Sequence, residues 1–420
     1  MISITQNTSN GVGSLCMLVL EHKCWKQRRC AKSPGSQITH EREMSAAAPS
    51  TFLAGHADAS GTLEYTRSVA LNVGPGHFRT LPANGAAGDL SVSSVGVGTY
   101  LGPDSDAADK QYEDAISLAL TLGVNVLDTA INYRNMRSER SVGRALSRAI
   151  VAGALQRNQI VVCTKGGYLS FDVKQPPNPR GWLEETYIKP GIFSYSEFAG
   201  GCHCMTASYI KNQLEKSRKN LGLETIDVYY VHNPETQLGE VSRQEFNSRI
   251  RNAFGALEEA HSEGKISVYG VATWNGFRVS PGSKGHLSLE DLVNAAKDVG
   301  GHSHHFKIVQ LPFNLKMQEA SRNLTQVVNG RPMTLLAAAK ELGISVVASA
   351  SLMQASLCKA IPNEIRTLAK EMDEEASNAE CAIQFVRSTP GILTALVGMR
   401  QIKHVEDNLK VLQYAAGPYT

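Results

Sequence analysis

The chain has 420 residues, with 42 Lys and Arg against 39 Asp and Glu, a formal net charge of +3. That length holds one large domain with extensions or two domains, and the near-neutral balance lacks the basic footprint of a nucleic-acid binder. No apolar run approaches the ~20 residues that span a bilayer, and eight cysteines with no CxxC pair read as reduced thiols of an intracellular protein.

Residues 1–75 have a Ser/Thr/Ala/Gly-rich texture and little periodicity, so they are expected to form a mostly disordered N-terminal extension. Basic Lys23, Lys26, Arg28, Arg29 and Lys32 follow the short apolar run "SLCMLVL". That order fits an organelle-targeting segment (plastid or mitochondrial) better than a secretory signal. Met44, before "SAAAPS", is an alternative start, and the protein is then cytoplasmic.

A regular alternation occupies residues 76–420. β-branched runs stand at 92–99, 124–128, 159–165, 226–232, 266–273, 306–312, 344–350 and 392–398. Amphipathic stretches separate them, such as "SERSVGRALSRAIVAG" and "TASYIKNQLEKSRKNLG", most of them closed by glycine as a helix end requires. Eight strands alternating with helices predict an α/β fold of the (β/α)8 TIM-barrel class. A doubly wound sheet, the competing topology, usually follows its first strand with GxGxxG. The "GVGTYLG" segment has glycines at other spacings.

One connection is long. Residues 166–205 carry Pro176, Pro177, Pro179, Pro190, Trp182, Tyr187 and Tyr195, and leave the third strand at its C-terminal end. Long loops in compact domains are usually functional, and in a barrel this end is the active-site face. The loop is therefore expected to act as a lid or substrate wall, against the bland alternative of a surface elaboration. Within it, Cys202, His203 and Cys204 alternate too closely to chelate one metal, and no second ligand pair stands at a zinc-like spacing, so no metal is expected.

Polar residues end three successive strands: Asp128, Lys165 and His232, with Tyr133 on the turn beyond Asp128. Singly, each has an ordinary structural explanation. Together they project into one mouth. This Asp, Tyr, Lys, His set, in the segments "LDTAINY" with Glu139 beyond, "VVCTK" and "IDVYYVHNPE", resembles the catalytic tetrad of the aldo-keto reductases. The resemblance covers about residues 78–414 and extends to "YGVATW", "VQLPFNL" and "VGMRQIKHVEDNL".

The resemblance implies an NAD(P)H-dependent oxidoreductase acting on a small-molecule aldehyde or ketone. Carbonyl reduction needs a hydride at carbon and a proton at oxygen, and the cofactor supplies the hydride. Tyr133 would be the general acid, with Lys165 lowering its pKa, Asp128 holding Lys165 charged, and His232 hydrogen-bonded to the carbonyl oxygen. Tyr133, His232 and Trp274 would face substrate. The cofactor would meet Gly98, Thr99, Tyr100, Asp128, Thr273 and Gln310, then Ser349, Leu352 and Gln354 in a pyrophosphate loop.

Where relatives that favour NADPH carry Lys, Ser and Arg, this chain reads Gly398, Met399 and His404; Asp407 and Asn408 match the family's acid–amide pair at the adenine. Arg400 is the nearby guanidinium, and a helix start follows it. NADP(H) is thus expected over NAD(H), with Arg400 and His404 at the phosphate. Two other functions fit the motifs. One is a cofactor-binding regulatory or scaffold protein, as in potassium-channel β subunits; the other is a barrel lyase using Lys165 as a Schiff base.

Overall fold

The structure is a computed structural model and describes residues 52–83, 88–362, 372 and 375–417. Eight parallel strands close into a barrel: β1 (Val95–Gly98), β2 (Val126–Asp128), β3 (Val161–Gly166), β4 (Ile226–His232), β5 (Ile266–Ala272), β6 (Phe306–Pro312), β7 (Ser345–Ser349) and β8 (Ile392–Gly398). Each pairs with its sequence neighbours, and β8 pairs with β1. Every residue of β5 is buried. A strand covered on both faces reads as a continuous apolar run, which is why alternation is weak in the sequence.

The principal connecting helices are α1 (Asp106–Thr121), α2 (Arg137–Val151), α3 (Ala207–Leu221), α4 (Arg243–Ser262), α5 (Leu289–Gly300), α6 (Leu335–Leu342), α7 (Asn378–Ser388) and α8 (Ile402–Leu409). Their starts are chemically marked. Ser105, Thr206, Ser242, Ser288, Thr334 and Ser377 each accept a backbone N–H of the first turn. Gly222 and Gly343 end α3 and α6 at φ +66° and +68°, where a Cβ would be strained.

Two cores result. Tyr269, Phe254 and Phe306 pack between strands and helices, while Val126, Val161, Val228, Tyr230, Ile308 and Val347 fill the barrel. An antiparallel hairpin, Phe78–Leu81 with Leu90–Ser93, adds Leu81, Leu90 and Val92 to the inner cluster.

Order begins before the boundary expected at residue 75. Leu53 exchanges backbone hydrogen bonds with Gly222 and Glu224, and helix Ala59–Val69 packs on the barrel. The Tyr65 hydroxyl donates to the Leu120 and Val124 carbonyls at 2.7 and 3.0 Å. The buried face of this helix is Gly61, Thr62, Tyr65 and Val69, small and polar residues that carry little hydrophobic period. The basic segment and Met44 lie outside the described residues.

The long loop after β3 has its own small core. Leu183, Tyr187, Phe193 and Cys204 cluster with Tyr209 of α3, and Trp182 packs edge-on to Phe171 at 4.9 Å between ring centroids. Among the described residues, no helix is long and apolar enough to cross a membrane.

Candidate active site

Strand register brings the site together. Gly98 pairs with Asp128, Lys165 with Tyr230, His232 with Ala272, and Ala272 with Gln310. The strand-end side chains therefore share the C-terminal rim, where barrel sites form. Tyr133 follows on the β2–α2 turn. That turn runs through Arg134, Asn135 and Met136 with φ of 49°, 50° and 68°. Three successive left-handed residues are costly for side chains with a Cβ. The turn is held by the Arg134 guanidinium, which donates to the Pro103 carbonyl at 3.0 Å and pairs with Asp109.

Lys165 and Asp128 form a buried ion pair, Nζ to Oδ1 at 2.5 Å. Lys165 Nζ also donates to the Thr129 carbonyl at 2.8 Å, and Gln310 Nε2 donates to the second Asp128 oxygen at 2.8 Å. The ammonium lies 4.9 Å from the centroid of the Tyr133 ring. His232 meets Tyr133 edge-on at 5.9 Å. Its Nδ1 is buried without a hydrogen-bond partner, so Nε2 is the nitrogen open to the cleft. A Schiff-base role for Lys165 has little support here. The side chain is fully buried, and its ammonium is committed to a carboxylate and a carbonyl.

Burial governs the ionisation of this group. It raises the Tyr133 phenol; the Lys165 ammonium acts in the opposite direction, and the Asp128 carboxylate opposes Lys165 in turn. The net direction is upward, the reverse of the lowering expected from Lys165 alone, because a phenolate here loses its water. Burial disfavours the Lys165 cation, but Asp128 and Tyr133 outweigh it and raise the ammonium above its ordinary value. Burial holds the His232 imidazole well below its usual range, helped by Lys165 and His203, so the ring is neutral near pH 7.

The cleft above is lined by Gly98, Thr99, Tyr100, Asp128, Tyr133, His232, Thr273, Trp274, Gln310, Ser349, Leu352 and Gln354, all anticipated from sequence. Leu101, Asn233, Ala272, Ala350, Ser351, Ala355, Leu396 and Gly398 join them. Lys165 sits beneath the cleft and does not line it, and no residue of the 166–205 loop lines it either. The loop is thus a self-packed unit beside the mouth and not a wall of this cleft.

Thr273 is one of the cofactor contacts that the resemblance implies. Its hydroxyl instead donates to Glu235 Oε1 at 2.5 Å and accepts from the Gly276 N–H at 2.8 Å. Glu235 also accepts the N–H groups of Trp274 and Asn275 at 3.1 and 3.2 Å, so it fixes the backbone under Trp274. Burial raises its carboxyl pKa. The segment "HNPE" carries no sequence signal for this role.

A dinucleotide fits the far side of the cleft. Ala350, Met353, Gln354 and Ala355 have φ between 47° and 66°, a curled loop that turns main chain toward the opening. Ser351 Oγ is buried there without a hydrogen-bond partner. Beyond β8, α8 starts at Gln401 with no side-chain cap, leaving its first N–H groups free for an anion. Arg400 lies against Gly102, with Nη1 3.3 Å from where a Cβ would stand, and makes no ion pair among the described residues. His404 is exposed, Asn408 is buried, and Asp407 pairs with Lys403 at 3.2 Å and Lys410 at 3.7 Å. These four stand outside the cleft lining.

Residues 94–281 match the model of the aldo/keto reductase family. An uncharacterized oxidoreductase of Bacillus subtilis (strain 168) is 24% identical over 326 residues, 77% of this chain and 88% of the relative. A Schizosaccharomyces pombe protein, provisionally named a voltage-gated potassium channel β subunit, is 21% identical over 348 residues, 80% of this chain and 88% of its own. The crystal structure of an aldo/keto reductase from Klebsiella pneumoniae in complex with NADP and acetate has a TM-score of 0.51 at 20% identity. It covers 79% of this chain and 89% of that one, a likeness of fold.

Proposed function

We propose that this chain is an aldo/keto reductase that reversibly reduces an aldehyde or ketone with NADPH, Tyr133 being the general acid; the match of residues 94–281 to that family's model supports the reading. The observation that carries the reading is the Asp128–Lys165 pair set directly under Tyr133, with His232 across the same cleft. When bound, the nicotinamide supplies the hydride.

The chain's own residues supply position and a proton. His232 is neutral and presents Nε2–H, so it hydrogen-bonds the substrate oxygen without adding charge. Tyr133, its pKa raised, keeps its proton until negative charge develops on that oxygen, and then delivers it. Lys165 stabilises the phenolate that remains, and Asp128 keeps Lys165 charged and directed. Gln310 ties Asp128 to β6, so the base of the site spans the barrel.

Tyr100, Leu101, Trp274 and Leu352 make much of the wall, and among the described lining residues Asp128 is the only carboxylate. Such a wall favours an uncharged, apolar carbonyl compound. The test is a panel of aldehydes, ketones and sugars followed by NADPH absorbance. Apolar aldehydes or ketones should turn over, and Tyr133→Phe should abolish the rate while cofactor binding stays nearly intact. A variant retaining most of the wild-type rate would refute the acid. Tight NADPH binding without turnover of any carbonyl would favour a regulatory protein on the same barrel.

A further inference from the structure

The long loop after β3 does not line the cleft, yet it returns the Tyr168 and His203 side chains to the back of the catalytic face. His203 is fully buried, and its Nε2 lies 2.8 Å from the main-chain carbonyl oxygen of His232. Gln237 Nε2 stands 2.9 Å from His203 Nδ1 and also reaches the His203 carbonyl at 3.0 Å. The Gln237 amide oxygen accepts from Arg249 Nη1 at 2.7 Å, and Arg249 is held by Glu245 at 2.7 Å.

This chain fixes the protons. Arginine only donates, so the Gln237 oxygen faces it and the Gln237 NH2 faces the imidazole. His203 Nδ1 therefore accepts and Nε2–H donates to His232. One neutral tautomer satisfies every member. Burial holds the His203 ring down to about 4, in keeping with that state.

The anchoring is local and tight. Tyr168 and Ala199 bridge to His203 as short antiparallel pairs. Gly167 has φ +135°, and a Cβ there would lie 2.7 Å from His203 Nε2 and 3.1 Å from the His232 oxygen. The Tyr168 ring lies edge-on to both imidazoles, 5.2 Å from His203 and 5.1 Å from His232. β4 ends at His232, and Asn233 turns away at φ 43°. The strand end is thus held from one side by the Asn233 N–H to Ala272 carbonyl bond at 2.6 Å, and from the other by His203.

We propose that His203 is a positioning residue: through the His232 carbonyl and the Tyr168 ring it sets the direction in which the His232 imidazole meets the substrate oxygen. The inference rests on the reductase reading for its kinetic arm only. His203→Leu removes the donor. His203→Gln keeps an amide N–H near the Nε2 position. With the full chain and its best carbonyl substrate, His203→Leu should lower kcat roughly tenfold, the size of one hydrogen bond, with the NADPH Kd unchanged. His203→Gln should recover most of that rate at a similar Tm. Equal rates in wild type and His203→Leu, or no recovery in His203→Gln, would overturn the proposal.

A second arm needs no turnover, and its first reading needs no variant. In [15N]histidine-labelled protein, the two-bond nitrogen–proton spectrum should show His203 as a neutral Nε2–H ring that does not titrate between about pH 5.5 and 8. A titrating ring, or the Nδ1–H tautomer, overturns the assignment even if His203→Leu fails to fold. Absence of wild-type turnover strikes at the reductase reading instead. The His232 resonances then decide the positioning claim: they should move in His203→Leu and return in His203→Gln, and resonances that stay put overturn it.

Discussion

Lys165→Met removes one charge from a fully buried pair and nearly preserves side-chain length. The Nζ–Oδ1 distance is 2.5 Å. At an effective dielectric of about 20, unit charges at that separation attract by about 7 kcal/mol, and desolvation of both ions cancels several kcal/mol of it. Breaking such a pair from one side is costlier than the pair is worth. Asp128 is left with Gln310 Nε2 as its remaining side-chain donor, in a site where burial already pushes its carboxyl up. Loss of about 3–5 kcal/mol of unfolding free energy is expected.

The pH dependence has a definite sign. Without the cation the folded-state pKa of Asp128 rises further above the unfolded value of about 3.9. The deficit relative to wild type is then small below about pH 4, where the carboxyl is protonated in both states, and grows as pH rises. Denaturant titrations of both proteins at pH 4 and 7, analysed by linear extrapolation, measure it. Asp128→Asn combined with Lys165→Met should regain more than half the loss, because no orphaned carboxylate remains. A single variant that loses less than about 1 kcal/mol, a deficit larger at pH 4 than at pH 7, or a double variant no more stable than the single would refute a stabilising role for the buried pair.

Arg400→Ala should weaken NADPH use by roughly ten- to a hundredfold, the worth of a charged hydrogen bond of ~1.5–3 kcal/mol, and barely affect NADH; steady-state kinetics with each cofactor decide, and equal losses or a wild-type preference for NADH would exclude Arg400 as the phosphate ligand. Tyr65→Ala, far from the cleft, should cost about 3–5 kcal/mol of stability, and Tyr65→Phe about 1 kcal/mol or more, since it strips the donor from two buried carbonyls. Thermal melts that leave Tyr65→Ala within a degree of wild type would show that the N-terminal helix is not part of the cooperative unit.

The architecture and the meeting of four residues were legible because both follow from local pattern. A buried parallel strand reads as an apolar run, a capped helix separates it from the next, and eight repeats close a barrel. Once the barrel is granted, any polar residue that ends a strand sits on one rim, so Asp128, Lys165 and His232 converge with no further information. Side-chain pairings across the rim have no such period. Gln310 reaches Asp128 across 182 positions, Glu235 captures Thr273 across 38, and His203 supports His232 across 29. Each depends on strand register and on where a loop returns. The direction of the Tyr133 shift belongs to the same class: a neighbouring lysine can be read from a motif, but loss of solvent is a property of the closed barrel. The helix at Ala59–Val69 escaped notice because its contacts run through a glycine, a threonine and a tyrosine hydroxyl. Sequence by itself determined which residues end strands; tertiary structure decided which of them are buried, paired and neutral, because dielectric and hydrogen-bond partners are set by atoms far away along the chain.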